Sequence, residues 1–330
     1  MSDLHLDADA LGDGAGQLLP RLAGLETILR FANRNAVPLT WRAALAEELG
    51  LRPWGAVAPA RVAASALCPE AGVDPWFATP VHRIAALDHL RLHPAGMLTL
   101  QASELGGLAA DFERHFGVAG LALHPLCGGF VLSGFAACGV EAQEPAPYLG
   151  ARLPRALAHG PDAAQLLRLS GECELWLHEH AVNRDRQQRG QLPVNGLWFW
   201  GGGGDGAALP APADLPMQQR VFADDAFTVG LCHAADGEAQ AVPADLAALL
   251  AVAAESANVD ALVVLDSVPR GPRDAPLPRL DASWFEPALA ALRDGRLTQL
   301  TLLVAGRRLT LKRWHLLRLW ARPQPWWQCL

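Results

Sequence analysis

Three arginines, Arg184, Arg186 and Arg189, crowd the end of a helix-patterned stretch, and guanidinium forks suit bidentate capture of a phosphate or carboxylate. Upstream, apolar residues recur at Leu166, Leu169, Cys173 and Trp176, and the same helical stripe continues through His180, Asn183 or Arg184, and Gln187. A buried stripe that turns polar in its last turns aims those groups at a cavity or at another part of the chain. The competing reading, which spacing alone favours, is a solvated, arginine-rich last turn that complements the helix dipole. His178 and His180 suggest a metal, yet residues two apart on a helix point about 200° apart, so no metal ligands are assigned.

Downstream, Asn195 precedes a strand at residues 197–200 with Leu197 and Phe199 on one face, and Trp198 and Trp200 on the other. It runs into Gly201, Gly202 and Gly203. Gly201, Gly203 and Gly206 satisfy G-x-G-x-x-G, but Pro210, Pro212 and Pro216 follow where a dinucleotide site needs a helix. The glycines are instead expected to allow positive φ or close backbone approach. The chain has no Gly-Lys-Ser/Thr, no G-x-S-x-G and no H-E-x-x-H, and His82, His124 and His233 are isolated histidines read as structural. No catalytic residue is assigned.

The elements that must position these groups read as follows. Residues 18–35 and 41–49 form helices, and residues 54–67 suit either a strand with a turn or a frayed helix. Strands follow at 76–84 and 89–93, a helix at 100–116, and a hairpin of 121–124 with 129–135 around Gly128. Proline-rich residues 143–154 read as a linker, and 161–188 as one long helix stopped by Gly190 and Pro193. Helices at 244–254 and 282–293 alternate with apolar strands at 261–265 and 299–304, a pattern for a partly parallel sheet covered on both faces. Three regions result: a helical lead-in (1–53), a smaller α+β subdomain (54–142) and an α/β domain (143–330) carrying the 176–204 motif.

Composition narrows the function classes. A chain of 330 residues, 51% hydrophobic, can bury a large core, and its formal charge of −7 speaks for solubility. Lys312 is the sole lysine among 27 basic residues, a bias of composition and not a nucleic-acid surface. The six cysteines show no C-x-x-C pair and read as buried thiols. Neither a signal peptide nor an 18-residue apolar run stands out, so a cytoplasmic location without membrane contact is expected. Near the end, Arg307, Arg308, Lys312, Arg313, Arg318 and Arg322 interleave with Trp314, Trp320, Trp326 and Trp327. That mixture can stack on single-stranded nucleic acid, but an amphipathic helix docking Trp314, Leu317 and Trp320 on the core is favoured. The apolar tail 323–330 is expected to pack on the body or on a second subunit, which leaves a homo-oligomer open.

The run His180-Ala181-Val182-Asn183-Arg184-Asp185-Arg186, Arg189-Gly190, Pro193-Val194-Asn195 and Trp198-Phe199-Trp200-Gly201-Gly202-Gly203 resembles a stretch of archaeal-type cofactor-independent phosphoglycerate mutases. It is closer still to the RpfE-type regulatory proteins of bacteria. Their W-x-x-A-D-P-V-H-L element is echoed by residues 76–83, with Thr79 for the acid and Arg83 for the leucine. The resemblance implies an alkaline-phosphatase-like, three-layer α/β fold with a partly parallel sheet. It implies an anion-binding site of His180, Asn183, Arg184, Arg186, Arg189, Asn195, Trp198, Trp200, Gly201 and Gly203.

In the mutases, phosphoryl transfer uses two divalent metals held by Asp and His and a Ser or Thr nucleophile. Here residues 260–268 and 269–280 carry no histidine, Asp9 and Asp13 follow no strand, and Asp266 is a lone carboxylate at a strand end. A degenerate, non-catalytic mutase-like protein with a regulatory role, an anionic small-molecule ligand and no cofactor is therefore expected. The alternatives are an active mutase or phosphatase using Mn²⁺ or Mg²⁺, and an interaction module for protein or nucleic acid.

Overall fold

A computed structural model describes residues 20–37, 40–51, 58–72, 74–137, 139–154, 156–203, 219–253, 260–265, 276–304, 306–318 and 320–329. Asp9, Asp13, Cys138, Gly206 and Asp266 lie outside them. The architecture is mixed α/β with several sheets, and the chain divides into two compact units. One is formed by Leu49–Leu215 and Asp224–Ala239; the other by Met1–Glu48, Pro216–Ala223 and Gln240–Leu330. No helix among the described residues is long and apolar enough to cross a membrane.

The first unit is built on a five-stranded sheet centred on Trp76–Ala85. This strand pairs antiparallel with Leu90–Met97, Gly129–Ser133 and Gly196–Trp200, and Ala122–Leu126 extends the sheet beyond Gly129–Ser133. The motif strand is therefore antiparallel and joins the expected α+β subdomain. Thr79 faces Trp198 and Val81 faces Gly196, a register that carries the unit across the 142/143 boundary drawn from sequence. Parallel pairing occurs in the other unit, between Gln219–Phe222 and Asp260–Val263. The 143–154 stretch does not hang free: Leu153 is buried, Tyr148 stacks on Trp198, and Leu149 bridges to Leu92.

Helix Ala102–Phe116 covers this sheet because Leu108, Phe112 and Phe116 recur every four residues on one face. Gln101 caps it, and the Glu104 carboxylate returns to the Gln101 amide. The expected 161–188 helix is two helices, Ala163–His178 and Ala181–Gln188. The break sits at His180, whose extended backbone (φ −65°, ψ 141°) begins the second helix while its Nδ1 accepts the Val182 N–H. A side-chain acceptor there replaces the carbonyl that a continuing helix would offer. Gly190, at φ 67°, ends the second helix as expected. The ambiguous 54–67 stretch contains a helix, Pro59–Leu67, with proline in its first turn.

In the second unit, helix Ala23–Phe31 packs Leu22, Leu25, Ile28 and Leu29 against Leu289, Leu292, Leu309, Leu311 and Trp326. Its N-terminus has no local cap. Asp281 supplies one from far along the chain, Oδ2 accepting from Gly24 N at 2.9 Å and Oδ1 from Leu25 N at 2.7 Å. The helix ends at Phe31, and Asn33–Ala36 is a strand on Arg307–Lys312, which in turn pairs with Gln299–Val304. The expected C-terminal amphipathic helix is absent from the described residues. Arg307–Lys312 is a strand and Arg313–Leu317 a short 3-10 turn, leaving Trp314, Leu317 and Trp320 61%, 73% and 79% exposed. Trp326 does pack on the body, donating its Nε1–H to Pro20 O at 2.9 Å.

Candidate functional site

The sequence places His180, Asn183 and the arginines together, and the structure does bring them to one place, beside helix Ala102–Phe116. The expected stripe holds for His180 and Asn183, which are buried, but not for Gln187, which is exposed; Arg186, off that stripe, is buried, while Arg184 and Arg189 lie on the exposed side. What they face is protein. Arg186 Nη1 donates to Glu104 Oε2 at 3.0 Å and its Nε to Leu192 O at 2.8 Å, while Arg189 Nη2 donates to Glu104 Oε1 at 2.7 Å. Arg184 Nη1 donates to Glu179 O. Glu104 is 5% exposed and Arg186 6%. Burial pushes the Glu104 carboxyl up. The Gln101 amide, the Arg186 charge and the hydrogen bonds from Arg189 and Arg186 outweigh it, holding the group below the ordinary glutamate range. One carboxylate thus compensates two of the three candidate arginines.

The asparagines are equally committed. Asn183 Nδ2 donates to Leu177 O and to Val194 O, and its Oδ1 accepts from Val194 N, each at 2.7 Å. Asn195 imitates a strand neighbour: Oδ1 accepts from Arg83 N and Nδ2 donates to Arg83 O, both at 2.7 Å. The main-chain ladder with Gly196–Trp200 ends at the pair Val81–Gly196, and the asparagine amide extends it by one more residue, to Arg83. Trp198 Nε1 donates to Gln143 O and Trp200 Nε1 to Thr79 Oγ1. Gly201 and Gly203 adopt φ of 70° and 74°, and between them a side chain on Gly202 would collide with the Trp76 ring. The glycines admit a buried indole.

His180 has a different setting. Nε2 lies 2.7 Å from Asp111 Oδ2 without the alignment of a hydrogen bond, and Asp111 is shared with Arg114. Burial, then the charges of Arg184 and Arg114, hold the imidazole below its ordinary value of 6.5. The folded state therefore refuses a proton that the unfolded chain accepts, so this contribution is complete above about pH 6.5 and is lost as pH falls below it. His93 and His315 are shifted the same way. Denaturant unfolding from pH 8 to pH 5 is expected to show stability falling below about pH 6.5. His180→Asn, which retains a capping side chain, should fall less steeply. Parallel slopes for the two proteins would remove His180 from the account.

A shallow recess, partly open to solvent, lies between strand Gly196–Trp200 and helix Ala163–His178. Leu166, Leu197, Phe199 and Trp198 give it apolar walls, and Arg83 and Ser170 its polar groups. The Arg83 guanidinium lies over Gly196, where any Cβ would strike it, and pairs with Glu174 at 2.6 Å. Among the predicted site residues, Trp198 lines this recess. Sequence reasoning missed Glu104 and Arg83. The Gln101-x-x-Glu104 pattern of a capping box could have flagged the first, and the arginine in place of leucine the second.

One cluster among the described residues has the composition of a metal site: Cys68, Glu70 and His124. Cys68, Cys173, Cys232 and Cys329 are buried thiols, as expected. Cys127 instead sits exposed in the hairpin turn at φ 45°.

No protein-family model matches the chain, and no curated protein matches it. Among solved structures, it is similar to the cofactor-independent phosphoglycerate mutase from Thermoplasma acidophilum, at 14% identity and a TM-score of 0.37, covering 88% of this chain and 81% of that one.

Proposed function

We propose that the chain is a phosphoglycerate-mutase-like protein of three-layer, alkaline-phosphatase-like organisation, allied to the RpfE-type regulators, that acts by binding and not by turnover. The observation that carries this reading is Glu104 between Arg186 and Arg189. Guanidiniums that would meet a substrate phosphate are compensated from within the fold, and one of them is buried. The motif has become structure. Its ligand is a small phosphate- or carboxylate-bearing molecule held in the recess beside Trp198, where it takes Arg83 from the half-exposed Glu174 and meets Ser170 as a hydroxyl partner.

Purified protein supplied with 3-phosphoglycerate and Mn²⁺ or Mg²⁺ should give no 2-phosphoglycerate; turnover would overturn the reading. By calorimetry with 3-phosphoglycerate, Arg83→Met should weaken binding by roughly tenfold or more, the worth of a charge-assisted hydrogen bond. Arg189→Met should leave it unchanged. The reverse pattern would return the ligand to the arginine cluster.

A second reading, an interaction surface for another protein, is favoured by the exposure of Trp314, Leu317 and Trp320 in one short stretch, with Arg318 5.7 Å from the Trp314 ring.

A further inference from the structure

We propose that Cys68, Glu70 and His124 form a binding site for a thiolate-preferring divalent cation of the Zn²⁺ type. The Cys68 Sγ, a Glu70 carboxylate oxygen and a ring nitrogen of His124 all lie within 4.8 Å of one another. A tetrahedral zinc ion, with bonds of about 2.3 Å to sulfur and about 2.0 Å to nitrogen or oxygen, spaces its ligands by roughly 3.3–3.8 Å. The exposed Glu70 side chain can close that gap by rotation.

The donors come from two separate places in the unit, the end of a helix with the turn that follows it, and a strand of the sheet. Cys68 ends helix Pro59–Leu67, its amide bonded to Ala64 O, and its thiol sits in an apolar cluster with Ala64, Ala71 and Val131. Glu70 lies in the 3-10 turn Pro69–Ala71 that follows at once, so Cys68 and Glu70 form a short chelate. His124 projects from strand Ala122–Leu126, its Nε2 2.9 Å from Ser133 Oγ on the neighbouring strand. That hydroxyl orients the ring as an outer partner orients a ligating histidine.

Thiolate, imidazole and carboxylate together suit zinc and cobalt better than the hard, oxygen-seeking Mg²⁺ or Ca²⁺. Three protein donors leave a fourth position on the solvent side, where Glu70 is exposed, for water or an exchangeable ligand. Loading displaces the Cys68 proton to solvent and pins the end of helix Pro59–Leu67 to the sheet.

The test is a Co²⁺ titration of full-length protein stripped with chelator and kept reduced. One equivalent should give thiolate-to-cobalt charge-transfer absorption that Zn²⁺ abolishes by displacement. The thermal midpoint should rise with free Zn²⁺. Cys68→Ser should lose the band. Glu70→Gln, at an exposed position that cannot disturb the core, should weaken binding by roughly tenfold or more, and so should His124→Gln. Cys127→Ser, at the exposed turn thiol, should bind as wild type. Absence of the band in folded wild-type protein, its survival in Cys68→Ser, or unchanged affinity in Glu70→Gln would each overturn the assignment.

Discussion

Glu104→Ala is expected to destabilise the protein by about 3–5 kcal/mol in denaturant unfolding, the usual cost of stripping one partner from a buried ion pair. The residue caps helix Ala102–Phe116 and takes hydrogen bonds from Arg186 and Arg189 with both oxygens. Without it, Arg186 keeps the Leu192 carbonyl but no counter-charge, at a buried position. Such a loss is a large share of the roughly 5–15 kcal/mol that typical domains possess. Arg189→Ala, removing a 41% exposed side chain, should cost under about 1 kcal/mol. The double variant Glu104→Leu/Arg186→Met should recover much of the Glu104→Ala loss, since an apolar pair of similar volume often matches a buried ion pair. If Glu104→Ala stays within about 1 kcal/mol of wild type, the pair is solvated in solution and the arginines are open to ligands again.

Asn183→Ala should be nearly as damaging, at roughly 3 kcal/mol or more, because it strands buried polar groups of the main chain instead of a charge. The side chain satisfies the carbonyls of Leu177 and Val194 and the amide of Val194, and so joins the end of helix Ala163–His178 to the segment entering strand Gly196–Trp200. Asn183→Asp separates this account from simple loss of packing. A carboxylate can still accept from Val194 N but repels the two carbonyls, so the variant should be strongly destabilised at neutral pH. It should regain stability relative to Asn183→Ala as the pH falls and the acid acquires a proton to donate. If both variants respond identically to pH, the hydrogen-bond account fails.

Elements governed by local periodicity were legible from the sequence. Helix Ala102–Phe116, the hairpin around Gly128, strand Trp76–Ala85 and the stop at Gly190 fall within a few residues of their expected places. What escaped was decided by single side chains or by distant partners. The helix break at His180 depends on a ring nitrogen taking one amide proton, which leaves no trace in a hydrophobic pattern. Strand Asn33–Ala36 is exposed along its length and exists through pairing with Arg307–Lys312, so no apolar alternation announces it. That pairing also claims the stretch before Trp314 from the helix its composition suggests. In the candidate site, the inward direction of His180 and Asn183 was legible, but not what awaited them. Spacing reports which face is buried and says nothing of whether a carbonyl, a carboxylate or a cavity lies opposite.

The Asp281 cap on helix Ala23–Phe31 gives the molecule an order of assembly on the ribosome. Residues 49–215 emerge as a nearly continuous block and can pack while synthesis is under way. The helix emerges earlier yet waits for an acid 257 residues downstream of Gly24, and for Leu289, Leu309 and Trp326 beyond it, before its amides and apolar face are covered. An isolated helix of nine residues holds little structure in water. A nascent chain arrested before residue 281 therefore carries a finished middle and a bare Leu22-Leu25-Ile28-Leu29 stripe, the kind of segment that chaperones hold and proteases cut.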